Sequence, residues 1–322
     1  MQVRQWREDY GASGRPVVFV SSGLYSPEGR ILDGSLRRQE IPVICMDHGI
    51  GVGLGLRHDF TVPEAISFSD RYLAFNREIA SLYNQSRTRS SQIVSATETP
   101  AIMRRSNFPK LQRMAARKYL GIAADEAVLI YVTNLAINNV PAGYGTATDL
   151  EYANFQRRLV EALSHFPGRV VIKPYPVYRY HDADQIWQMP LPANAVLCPF
   201  GEYRHIRWAA DVVALDLCSS TFGWAMNSNV PMIYIDNLSG PMTDRAVESV
   251  RRSVFYFSSM EDGWESDLEA HLKLPHQDMV SKWMAMGPAR QEFGVEFVNG
   301  GDSTLTAGLL EGLEQISQID HR

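Results

Sequence analysis

The chain has 322 residues, 45% of them hydrophobic and 21% charged. At ~150 residues per domain this length predicts two domains, each able to bury its own core, and the composition excludes a disordered chain. A formal net charge of −5 excludes a broad basic face, so nucleic acid is not an expected partner.

The opening MQVRQWREDYGASGRP lacks the apolar core of a signal peptide, which predicts a cytoplasmic protein. No run approaches the ~20 apolar residues of a membrane helix. PVVFV at 16–20 reads as a strand, and PVICM at 42–46 as a second, after the turn and GRILDGSLRRQ. RYLAF at 71–75 and SQIVSA at 91–96 add two more, with EIASLY helical between them. These short runs do not alternate, as expected of strands buried on both faces of a parallel sheet. Composition shifts between 98 and 112, where Pro100 and Pro109 punctuate the chain, and this predicts the domain boundary.

Beyond it the alternation restarts. LQRMAARKYLGI is a helix ending at Gly121, AVLIYVTN at 127–134 a strand, and DLEYANFQRRLVEALSHF a helix that Gly168 stops. RVVIKPYP, NAVLCPF and DVVALD follow as strands, with a short helix around 202–210 before the third. SSTFGWAMNSN opens a helix, PMIYID at 231–236 reads as the last strand, and helical patterns occupy 244–252, 264–274, 276–286 and 303–319. The expected fold is therefore α/β: two Rossmann-like domains facing a cleft, the first short. Residues 1–108 form the acceptor-side domain and 109–302 the nucleotide-donor domain. Residues 303–322 form a C-terminal helix that packs back on the first domain.

Ligands of open parallel sheets bind beyond the carboxyl ends of the strands. Asp47-His48-Gly49 follows the second strand, and a histidine there can serve as a base near neutral pH. Asn134 opens a long Gly-containing loop that can cover a donor ligand. Lys173 leaves its strand at a Lys-Pro-Tyr-Pro turn and can meet a phosphate as a point charge. Ser219, Ser220 and Thr221 open a helix, where hydroxyls and free N–H groups either cap the helix or hold an anion. Glu202 either reaches a ribose hydroxyl or begins a helix. Asp236 lies far from other acidic residues, and Cys45, Cys198 and Cys218 read as buried thiols, so no metal site is expected. Seven basic residues, from Arg87 and Arg89 through Arg104, Arg105, Arg113 and Arg117 to Lys118, concentrate around the linker. They read either as a solvated linker and helix face or as a patch for peripheral contact with the inner face of a membrane or with an anionic acceptor.

In order and spacing, RKYLGI, AVLIYVTN, RVVIKPYP and AADVVALDLCSSTFGWAMNSNVPMIYID resemble the C-terminal half of GT-B glycosyltransferases. The pattern is that of the branch with CDP-glycerol glycerophosphotransferases, bacterial sialyltransferases and Kdo transferases of surface-polysaccharide assembly. The resemblance implies that Lys173, Pro174 and Pro176 match a Lys-Pro-His-Pro-like turn. It implies that Ser219, Ser220 and Thr221 match the helix start that holds the donor phosphates. PVICMDHG resembles the acceptor-side strand, with His48 on its histidine and Asp47 beside it. Tyr175 stands where the family has histidine; it can donate a hydrogen bond but does not carry a proton near pH 7.

What this implies is a metal-independent glycosyltransferase of the cell envelope, with the nucleotide-sugar as a substrate and no cofactor. A CMP-, CDP- or UDP-linked donor would pass its sugar to a surface polysaccharide or lipid-linked acceptor. The alternatives are a nucleotide-sugar epimerase of the same fold and a non-catalytic nucleotide- or glycan-binding domain of a larger synthase.

Overall fold

The computed structural model describes residues 17–22, 27–47, 49, 53–54, 66–85, 87, 92–98, 108–133, 147–174, 186, 188–237 and 242–319. The chain divides into two compact units. The first comprises Met1–Gly53, Arg57–Pro100 and Gly294–Arg322, and the second Leu54–Leu56 and Ala101–Phe293. The chain re-enters the first unit at Gly294, ahead of the expected position 303.

In the first unit, β1 (Phe19–Ser21), β2 (Val43–Met46), β3 (Arg71–Ala74) and β4 (Ile93–Ala96) form a parallel sheet in that order. Helices α1 (Pro27–Arg38) and α2 (Arg77–Gln85) follow β1 and β3. The central strands β2 and β3 are buried on both faces, and the two-residue pleat sorts their side chains. Val43, Cys45 and Tyr72 pack with Leu36, Ile79 and Tyr83 on one side. Ile44 and Leu73 face the other way, against Leu305 and Leu309 of the C-terminal helix at Leu305–Ile319. That helix sits close on the sheet because Gly308 and Gly312 lie on its inner side. A Cβ at Gly308 would be 2.7 Å from Thr97, and one at Gly312 2.9 Å from Arg71. Arg71, buried beneath it, donates to Glu311 at 2.9 Å and to Ser95 at 3.0 Å.

The second unit holds a six-stranded sheet in the order β10-β9-β8-β5-β6-β7, every pair parallel. Its strands are β5 (Val128–Val132), β6 (Arg169–Lys173), β7 (Ala195–Leu197), β8 (Val212–Leu215), β9 (Met232–Asp236) and β10 (Phe255–Ser258). Its helices are α3 (Pro109–Leu120), α4 (Asp149–Leu163), α5 (Tyr203–Ile206), α6 (Ser220–Met226), α7 (Asp244–Ser253), α8 (Trp264–Leu272), α9 (His276–Ala285) and α10 (Gly287–Phe293). The Leu305–Ile319 helix of the first unit is α11.

Two local readings change. PMIYID is not the last strand: Phe255–Ser258 pairs with β9, a four-residue aromatic run hidden between two helical patterns. Helix α4 ends at Leu163, ahead of Gly168, which instead touches the sheet; a Cβ there would sit 2.3 Å from the Ala127 carbonyl oxygen. The start of α4 is fixed by a reciprocal cap in which Thr148 Oγ1 accepts from the Glu151 N–H while Glu151 accepts from the Thr148 N–H.

His271 of α8 packs on Phe255, ring centroids 4.1 Å apart, and its Nε2 is buried with no hydrogen-bond partner among the described residues. Burial, helped by Lys282, lowers its pKa from 6.5 to about 4. The unfolded chain therefore binds a proton here that the folded protein refuses. Stability falls as pH drops from 6.5 to about 4 and levels off below. Thermal unfolding of His271→Phe across this range is expected to lose that part of the pH dependence.

Candidate functional site

The second sheet reverses its winding between β5 and β8: β6 and β7 build outward on one side, β8 to β10 on the other. Loops leave the carboxyl ends of these neighbours in opposite directions, and this opens the crevice where such folds bind ligands. In the first unit the described strands run in sequence without a reversal.

A buried carboxylate anchors the crevice floor. Asp216, directly after β8, is 1% exposed, and its Oδ2 accepts from the hydroxyls of Tyr131 on β5 and Tyr152 on α4, both at 2.7 Å. Its backbone carbonyl accepts from Asn237 Nδ2 at 2.7 Å, just past β9. Three strands and a helix thus meet at one residue. Burial raises the Tyr131 pKa far above its ordinary value, and the Asp216 charge adds to the shift, so the phenol stays a donor.

Beside this floor stand the cationic and hydroxyl groups. Lys173 ends β6 and is 2% exposed, and its Nζ donates to the Pro174 carbonyl at 2.7 Å. No carboxylate pairs with it among the described residues. Burial lowers its pKa, and Cys198 past β7 counters weakly. Thr133, at the end of β5, is buried with an Oγ1 that has no partner among the described residues. Ser219 takes the N-cap position of α6 but makes no side-chain cap bond. The Ser219, Ser220 and Thr221 hydroxyls are half-buried and engage no described side chain or carbonyl. The first N–H groups of a helix have no intrahelical acceptor. The strands β6 and β8 that lead to Lys173 and to the α6 start flank β5, roughly 10 Å apart between strand axes.

The structure brings Lys173, Ser219, Ser220 and Thr221 to one sheet edge. Glu202 begins α5, but its side chain is exposed and pairs with Arg204. His48, Asn134 and Tyr175 lie outside the described residues. Asp47 belongs to the first unit, at the end of β2. It is 3% exposed, its Oδ2 accepts from the Phe75 N–H at 2.6 Å, and its Oδ1 accepts from Tyr72 Oη at 3.0 Å. Tyr83 in turn donates to Tyr72 at 2.9 Å. Both carboxylate oxygens are thus engaged inward. Burial lifts the Asp47 pKa to about 7 against these two bonds.

Thr133 and Asp216 stand among the polar residues that follow strands in the sequence, but the Tyr131 and Tyr152 phenols that close on Asp216 are groups the sequence alone did not single out. The available signal was a phenol in the middle of an otherwise aliphatic strand, VLIYV. Among the described residues no three His, Cys, Asp or Glu side chains gather as a metal site.

The chain matches no family model and no curated protein. Its fold recurs in solved structures. The UDP-GlcNAc 2-epimerase from Neisseria meningitidis bound to UDP-GlcNAc is 13% identical over 91% of this chain and 78% of that one, with a TM-score of 0.56. Anabaena Alr3699/HepE in complex with UDP is 13% identical over 98% and 81%, with a TM-score of 0.53. A variant of the wall teichoic acid polymerase TagF is 11% identical over 88% and 70%, with a TM-score of 0.51. These likenesses establish the fold, two Rossmann-like α/β domains.

Two outcomes follow from the buried carboxylates. Tyr131→Phe and Tyr152→Phe each cost about 1 kcal/mol in urea unfolding, and the double variant costs more than their sum because the Asp216 carboxylate loses both phenol donors. At Asp47 the folded protein retains a proton that the unfolded chain has released, so stability falls as pH rises from 3.8 to about 7. Asp47→Asn is expected to remove that fall, read from unfolding midpoints between these pH values.

Proposed function

We propose that this protein transfers a sugar or sugar-like group from a nucleotide-activated donor to a surface-polysaccharide or lipid-linked acceptor. The observation that carries the reading is Lys173. It is an ammonium almost wholly removed from water whose partner among the described residues is one neutral carbonyl, and the three hydroxyls of the α6 start engage no described group. A buried charge needs a counter-charge, and a donor phosphate supplies one.

In this reading the donor diphosphate or phosphate lies over the winding reversal. Lys173 and the Ser219–Thr221 hydroxyls stabilise the negative charge that grows on the leaving phosphate. Thr133 Oγ1 is a further donor at the same edge. His48 serves the acceptor hydroxyl as base. Asp47, whose oxygens face Phe75 and Tyr72, acts by anchoring the end of β2 next to His48 in the sequence. The group transferred is held by the chain alone, without a metal or cofactor. The solved structures of shared fold include Alr3699/HepE with UDP and with UDP and glucose, which favours a uridine donor among the CMP, CDP and UDP possibilities.

A second reading is a nucleotide-sugar epimerase, favoured by the epimerase among the proteins of shared fold. It predicts an epimerised nucleotide-sugar with no acceptor present, whereas transfer requires an acceptor.

Differential scanning fluorimetry with CMP, CDP, UDP and GDP tests the donor site, because a ligand of the folded state raises the melting temperature. One nucleotide is expected to stand out. Lys173→Ala is expected to weaken its binding about tenfold to a hundredfold, the worth of a charge-assisted hydrogen bond. Turnover left unchanged in both His48→Ala and Ser220→Ala would sink the transferase assignment.

A further inference from the structure

Helix α3 opens the second unit and has two unlike faces. Its inner face is pinned: Asp211 accepts from Arg113 at 2.5 Å, from Arg117 at 2.8 Å and from the Val128 N–H at 2.9 Å. Two of the basic residues counted around the linker are therefore engaged with a carboxylate and are not presented to a partner.

The outer face is apolar and exposed. Leu111, Met114 and Tyr119 are 64%, 67% and 58% exposed, and Phe108 just before the helix is 66% exposed. Leu111 and Met114 lie three residues apart on one side of the helix, with Phe108 and Tyr119 near its two ends. Phe200, equally exposed, is joined to this face through Gly201, which lies against the Tyr119 ring. Lys110 and Lys118 are exposed on the same helix. Solvent-facing helices seldom carry two large aliphatics and two aromatic rings outward; a contiguous patch of this kind marks a surface that is covered in use.

Charge identifies the cover. Between Glu98 and Asp125 the sequence has no acidic residue, and with Arg113 and Arg117 tied to Asp211 the outward charge of the helix is that of Lys110 and Lys118, in a chain whose net charge is −5. Apolar and aromatic side chains flanked by lysines on a helix of low acidity are the composition of a helix lying in a bilayer interface. No helix of the described residues is long and apolar enough to cross a membrane, so this contact is peripheral.

We propose that the outer face of α3 docks the protein on an anionic membrane. Leu111, Met114, Phe108 and Tyr119 enter the boundary between headgroups and acyl chains, and Lys110 and Lys118 meet the anionic headgroups. The surface is distinct from the Lys173 crevice, so docking stands or falls independently of the transfer reaction.

The test is co-sedimentation with vesicles of phosphatidylcholine alone and with vesicles enriched in phosphatidylglycerol. The unaltered protein is expected to bind the second kind, and less as salt is raised. Leu111→Ser/Met114→Ser is expected to lose about tenfold or more in binding. Lys110→Gln/Lys118→Gln is expected to lose a similar factor together with the preference for anionic lipid. All four side chains are exposed, so melting temperatures should be unchanged. In Phe108→Trp, the added indole emission should move to shorter wavelength when anionic vesicles are added. Absence of vesicle binding by the unaltered protein, or binding unchanged in both double variants, would overturn the proposal. A concentration-dependent dimer abolished by Leu111→Ser/Met114→Ser, with no vesicle binding, would instead assign the face to a second copy of the chain.

Discussion

The second unit depends on one buried carboxylate. Asp216 lies where the sheet reverses its winding, and a bare carboxylate at that depth would cost several kcal/mol. The two tyrosine hydroxyls that donate to it come from β5 and from α4. The Asn237 amide that binds its carbonyl comes from the end of β9. Satisfying one charge therefore fixes three strand ends and a helix relative to one another. The position of the β8–α6 turn, and with it the Ser-Ser-Thr start, follows from that constraint.

The same requirement is met in the first unit and left open at the candidate site. Asp47 has both oxygens engaged, by Phe75 and by a Tyr72–Tyr83 relay, and behaves as an internal brace of its turn. At the edge of the second sheet the pattern changes. Lys173 has a single neutral acceptor, Thr133 Oγ1 has none among the described residues, and Ser219 does not cap its helix. Folded proteins satisfy buried polar groups almost everywhere, so these donors on adjacent strand ends are the departure on which the proposed donor site rests. The donors are positive or neutral, which suits an anion. Helix α3 shows the complementary departure, with apolar side chains outside and arginines tied down inside. Both departures use local charge against an acidic whole.

Much of this was legible in the residues because it is periodic. Runs such as VLIYV, RVVIK and MIYID have too many consecutive apolar residues for a half-exposed strand, and they are buried along nearly their whole length. Lys173 and Ser219–Thr221 could be read as a phosphate site because strand ends and helix starts are where such folds place their chemistry. The Phe255–Ser258 strand was not legible, since four aromatic and hydroxyl residues between helices carry no period of their own.

The sequence by itself determined the two α/β domains, most strands of both sheets, and the residue types offered to an anion, because hydrophobic period and turn chemistry are local properties. Only the tertiary structure decided that Asp216 is held by Tyr131 and Tyr152, that Arg113 and Arg117 close on Asp211, and that Lys173 has no acidic partner among the described residues. Those are pairings between residues that are distant in the chain. Burial, which sets the cost of every unpaired charge, is a property of the packed whole and is written in no single stretch of it.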